Sequence, residues 1–251
     1  MSHYRLFELS ENRDIEEIRK PVTRFESYWQ RLSEHYQLDA LLLLANRCSM
    51  EKVEEYARKL IHLAFLTFQN DKKDNEITPS YSESHLVVYY GQGHLLNALA
   101  LEKQGLYDDA KEFISGYADH SWFDPLDEIG LREIERYRLL TKANLYRLDL
   151  LMGNTNVLVD YIKFLETYPE EILSGLTVIV KSACAHGFLI DSFIEKFSEE
   201  IRTFHHSHDP IDIDHHHLGF RFYHFPTEDS HFKECVGHRP MSKWEMNVGR
   251  R

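Results

Sequence analysis

The sequence predicts an all-α protein: a right-handed array of antiparallel helical hairpins followed by an irregular His-rich tail. Three observations carry this. Only 7 prolines and 11 glycines interrupt 251 residues. Between them, apolar residues recur at three- and four-residue steps, and strand-like alternation is rare before residue 205. Glycines stand at short gaps between periodic stretches, where left-handed helix stops belong. The expected organisation is a helical array over residues 1–204 and a tail over residues 205–251.

The elements follow in order. Residues 11–19 form a charged helical stretch that stops near Pro21. Helix continues over residues 22–36, with Phe25, Trp29 and Leu32 on one face, and a new helix covers residues 38–47, with Asp39 in its first turn. Residues 51–68 repeat Val53, Tyr56, Ala57, Leu60, Ile61, Ala64 and Phe68 on one stripe. A polar loop over residues 70–84 leads to a second pair, residues 86–104 and 107–118, turning at Gly105. Residues 124–129 are a loop. The third pair covers residues 131–152 and 156–168 around Gly153, and the fourth covers residues 170–186 and 191–204 around Gly187. The expected core holds Trp29, Leu42, Ala45, Tyr56, Ala57, Leu60, Leu96, Ala98, Leu101, Tyr107, Ala110, Ile114, Leu145, Leu148 and Ile162.

One hairpin has a recognisable grammar. In residues 98–110, small Ala98 and Ala110 let two helices approach, Gly105 turns the chain and Tyr107 packs over the turn. Ala45 and Ala57 repeat the same separation, and Gly153 matches Gly105. This resembles the tetratricopeptide repeat, with spacings longer than its ~34-residue period, so the repeats are degenerate.

The chain carries 29 Lys+Arg against 41 Asp+Glu, a net charge of −12. Phosphate contact needs a positive surface, so direct nucleic-acid binding is not expected. No run reaches the ~18 apolar residues of a membrane span. The first residues lack a secretory signal pattern. Cys48, Cys184 and Cys235 are far apart and odd in number, which reads as reduced thiols in a cytoplasmic protein.

Catalytic motifs are missing: no nucleophile elbow, phosphate loop, dinucleotide fingerprint or His-Glu-x-x-His. No cofactor is expected. Gly91-Gln92-Gly93 reads as a helix start with close backbone approach. Cys184 and His186 are two residues apart and do not share a helix face. His35, His62, His94 and His186 read as ordinary helix residues. The tail holds nine of the 16 histidines. His205, His206, His208, Asp209, His215 and His217 are the residues a metal would use, since imidazoles and carboxylates at short spacing bind Zn, Ni or Cu.

Tyr89, Tyr90, Tyr117, Trp122, Phe123 and Tyr137 read either as hairpin packing or as the lining of a peptide groove. In a hairpin superhelix the first helix of each pair lines a concave surface. That register places Asn46, Gln92, Leu95, Glu102, Lys103, Ala143 and Arg147 on it. Amides there pair with a peptide backbone, and Arg or Lys holds a carboxylate.

Residues 3–204 resemble the helical-repeat half of Gram-positive Xre-type helix-turn-helix transcriptional regulators. The resemblance rests on residues 3–8, residues 19–22, residues 55–60, Thr78-Pro79-Ser80-Tyr81 with Tyr89-Tyr90-Gly91-Gln92, and above all residues 101–112. It implies a sensor or dimerisation module that binds a peptide or protein and forms a homodimer. Family members carry an amino-terminal DNA-binding domain, and none precedes residue 3. The expected function is a non-enzymatic, cytoplasmic interaction module. The alternatives are a metal-binding protein using the tail and a truncated regulator relic.

Overall fold

The computed structural model describes residues 25–48, 50–74, 84–118, 123 and 126–200. Residues 11–19, the loop at 75–83 and the whole His-rich tail lie outside them. The described residues are helical throughout, without a strand. They fall into two compact units, one ending at Lys142 and one beginning at Ala143.

In the first unit, Phe25 and Trp29 are buried, and a 3-10 turn covers Trp29–Arg31. The next helix, α1 (Glu34–Arg47), starts earlier than its sequence suggests. Residue 37 was the expected break; the break instead falls at Leu32 and Ser33, where the backbone is extended. The Gln37 amide nitrogen donates to the Leu32 carbonyl at 2.6 Å, so Gln37 secures the turn rather than interrupting the helix. Helix α2 (Met50–Asp74) runs six residues past its expected end at 68. Nothing from Gln69 to Asp74 is Gly or Pro, and the Lys72 ammonium lies 5.9 Å from the Phe68 ring one turn back.

Helix α3 (Leu86–Lys103) is the centre of this unit. It is apolar almost all round, and α1, α2 and α4 (Tyr107–Gly116) pack against it. A helix with no polar face is one that must be covered. Its turn to α4 is the expected one. Gly105 has φ +78°, its N–H donates to Glu102 O, and Leu106 N donates to Leu101 O, both at 2.9 Å. These two bonds satisfy carbonyls that the helix end leaves open. Ala45, Ala57, Ala98 and Ala110 are all buried, as close helix approach requires.

A polar pair sits inside this apolar packing. Asp39 is 6% exposed and accepts a hydrogen bond from the Tyr89 hydroxyl, which accepts in turn from Ser84 N at 3.1 Å. Buried polar atoms are tolerated when paired in this way. Helix α5 (Glu128–Leu151) begins three residues before the expected start at 131, because the Asp127 carboxylate accepts from Gly130 N at 2.7 Å. From α5, Tyr137 sends its hydroxyl to Val88 O at 3.0 Å and lays its ring against Gly91. A Cβ at Gly91 would meet that ring at 2.3 Å, so the glycine is a site of close approach, as its sequence context suggests.

The second unit holds the end of α5, then α6 (Leu158–Thr167), α7 (Ile172–His186) and α8 (Asp191–Lys196). Gly153, at φ +87°, repeats the Gly105 turn: its N–H donates to Leu150 O and Asn154 N to Asp149 O, both at 2.9 Å. Gly187, at φ +75°, ends α7 with its N–H on Ala183 O at 2.8 Å. Tyr146, Tyr161 and Phe164 pack ring to ring, and α6 packs against α7.

Of the expected core, Tyr107 and Leu145 are only half-buried; the other residues are buried. Tyr107 opens α4 at its first position, so part of its ring stays in solvent.

Candidate functional site

In the first unit a groove lies between α2, α3 and α4. Arg58, Ile61, His62 and Phe65 follow one another at helical spacing and share a stripe of α2. Tyr90 and His94, one turn apart, come from α3, and Phe113 comes from α4. The groove has a volume of about 340 Å³ and opens broadly to solvent. Two glycines shape it. A Cβ at Gly93 would meet Ile61 Cγ1 at 2.6 Å and Ala57 O at 3.0 Å, so Gly93 lets the α2 backbone come close. A Cβ at Gly116 would meet the His94 imidazole at 2.6 Å, so Gly116 leaves room for that ring.

The wall is a run of rings. His94 lies 4.6 Å from Tyr90 and 5.7 Å from Phe113, centroid to centroid. Behind Tyr90 stands Phe123, fully buried, at 5.6 Å and edge-on; Phe68 touches Phe123 at 4.8 Å. Phe65 is 36% exposed. The Arg58 guanidinium lies 5.0 Å from the Phe113 centroid, within cation–π range. Its Nε and Nη2 donate to Glu54 Oε1 at 3.1 and 2.9 Å. The lining thus combines aromatic faces, one guanidinium and two imidazoles, and no carboxylate of the described residues belongs to it. Aromatic faces of this kind can stack on a ring, and a guanidinium can pair with a carboxylate.

None of the residues expected on a concave face lines this groove. Gln92 and Leu95 are 1% and 6% exposed, covered because α3 is central. Asn46 and Glu102 are half-buried and Lys103 is exposed beside the Gly105 turn. Ala143 and Arg147 belong to the second unit and are 7% and 5% exposed. Of the aromatics, Tyr89, Tyr117, Phe123 and Tyr137 serve packing, while Tyr90 faces the groove; Trp122 lies outside the described residues. His62 and His94, read as ordinary helix residues, are the imidazoles of the groove. Their signal in the sequence is the i, i+3, i+4, i+7 stripe of α2 next to its core stripe.

The proposed metal ligands His205, His206, His208, Asp209, His215 and His217 all lie outside the described residues. Among the described residues no three His, Cys, Asp or Glu side chains are grouped to hold a metal. No described helix is long and apolar enough to cross a membrane. Cys48 is a free thiol that burial pushes up to about 11. Cys184 is disulfide-bonded, so the reading of three reduced thiols does not hold for it. In the second unit, Glu171 is buried, and burial, reinforced by neighbouring Glu170, raises its carboxyl to about 7 against the opposing pull of Arg147.

Among the described residues, fold and groove together define an all-helical arrangement with a solvent-open aromatic groove on its first unit. Compared with protein-family models, curated proteins and solved structures, the chain matches none of them.

Proposed function

We propose that this chain is a non-enzymatic interaction module whose groove between α2, α3 and α4 receives an aromatic side chain from a peptide or protein partner. The single observation that supports this reading is the half-exposed ring wall of Phe65, Tyr90, His94 and Phe113. A volume of about 340 Å³ stands at the small end of ligand pockets, enough for one large side chain. A broad mouth suits a side chain projected from a backbone that stays outside. The resemblance to regulator repeat halves extends the reading to a sensor or dimerisation module, with a homodimer as its assembly.

The test is fluorescence anisotropy with labelled seven-residue peptides whose central residue is Phe, Tyr, Leu or Ala. The Phe and Tyr peptides bind at least tenfold tighter than the Ala peptide, and Phe65→Ala removes the difference. Equal binding of all four peptides would overturn the reading.

A further inference from the structure

The groove is a local exception in an acidic protein. The chain carries a net charge of −12, yet among the described residues Arg58, His62 and His94 are the only ionisable side chains lining the groove besides the Tyr90 phenol. Arg58 is also held in an unusual way. Its guanidinium packs over Phe113, so its position is set by the same ring that walls the groove. The carboxylate it holds is Glu54, one turn back on α2, and the Arg58 and Glu54 side chains are 55% and 33% exposed. An exposed pair of this kind is weak and exchangeable. A carboxylate arriving beside a bound ring can therefore take over the guanidinium from Glu54.

We infer that the groove selects an acidic aromatic segment: a Phe or Tyr ring inserted against Tyr90, His94 and Phe113, with a flanking Asp or Glu carboxylate paired to Arg58. This rests on the interaction-module reading above and adds the chemistry of the partner. The ring supplies most of the affinity by leaving water. The carboxylate supplies the choice among aromatic segments, because a Lys at the same place would face the Arg58 guanidinium.

The experiment uses the full chain and labelled seven-residue peptides with the central sequences Glu-Phe-Glu, Gln-Phe-Gln, Lys-Phe-Lys and Glu-Ala-Glu. At low salt the expected order is Glu-Phe-Glu tightest, Gln-Phe-Gln about three- to tenfold weaker and Lys-Phe-Lys weaker again, with the first gap closing as salt rises. In Arg58→Gln the ratio between the Glu-Phe-Glu and Gln-Phe-Gln affinities is expected to fall to about one, whatever the change in their common affinity. Equal affinity of these two peptides for the wild-type chain, or an unaltered gap in Arg58→Gln, overturns the acidic selection while leaving aromatic recognition standing. Binding of Glu-Ala-Glu as tight as Glu-Phe-Glu, or no binding of any peptide, overturns both.

Discussion

His85 and Asp127 face each other at 3.6 Å, Nε2 to Oδ1, while each caps the first turn of a different helix. His85 Nδ1 accepts from Val87 N at 3.2 Å at the start of α3, and Asp127 accepts from Gly130 N at 2.7 Å at the start of α5. The first bond requires a neutral Nδ1. Burial lowers the His85 pKa below its ordinary 6.5, and the carboxylates of Asp127 and Glu133 oppose it without reversing the shift.

The sign of the pH effect follows. With its folded pKa depressed, His85 binds fewer protons in the folded than in the unfolded chain. Its contribution is fully present above pH about 6.5 and is lost as pH falls from there through the folded pKa. His85→Asn keeps a capping acceptor without the titration. Urea denaturation between pH 5 and 7.5 is expected to show a shallower pH slope in the variant. An identical slope in both chains would remove His85 as its source.

Glu171 should behave in the other sense. Its carboxyl is raised to about 7 by burial, so the folded chain binds the extra proton. Stability from this group is present below the unfolded value near 4.5 and declines as pH rises to about 7. Glu171→Gln is expected to flatten that decline and to stabilise the chain at pH 8 by on the order of a few kcal/mol. Thermal melts of both chains at pH 5 and pH 8 check this; a variant less stable at pH 8 contradicts it.

The Gly91 contact gives a steric prediction. Gly91→Ala forces a methyl into the Tyr137 ring and is expected to cost about 1–3 kcal/mol. Combined with Tyr137→Leu, most of that cost should disappear, because the two residues share one contact. Additive costs in the double variant would mean the contact is not the cause.

Tyr89→Phe leaves Asp39 in the core without its hydroxyl donor. The expected loss is about 1–3 kcal/mol, measured by chemical denaturation. A change below a few tenths of a kcal/mol would show that Asp39 finds another donor.

Much of the fold was legible because glycine has few other uses. Gly105, Gly153 and Gly187 each take the left-handed φ that their place between periodic stretches implies. The starts were harder to read. Ser33 and Asp127 begin helices ahead of the apolar pattern, which shows only where a helix is already buried. The concave-face residues failed to point to the groove for a related reason. Gln92 and Leu95 lie on a helix that is apolar on nearly every side, a sign that α3 is covered rather than presented. The groove joins three helices, so no single window of sequence contains it; only the Arg58–Phe65 stripe hinted at a second face on α2.

The most direct measurement is amide chemical-shift mapping of the isotope-labelled chain titrated with the Glu-Phe-Glu peptide. The account predicts saturable shifts centred on Arg58, His62, Phe65, Tyr90, His94 and Phe113, with small shifts at Gln92 and Leu95. Shifts centred elsewhere, or none at millimolar peptide, would contradict it.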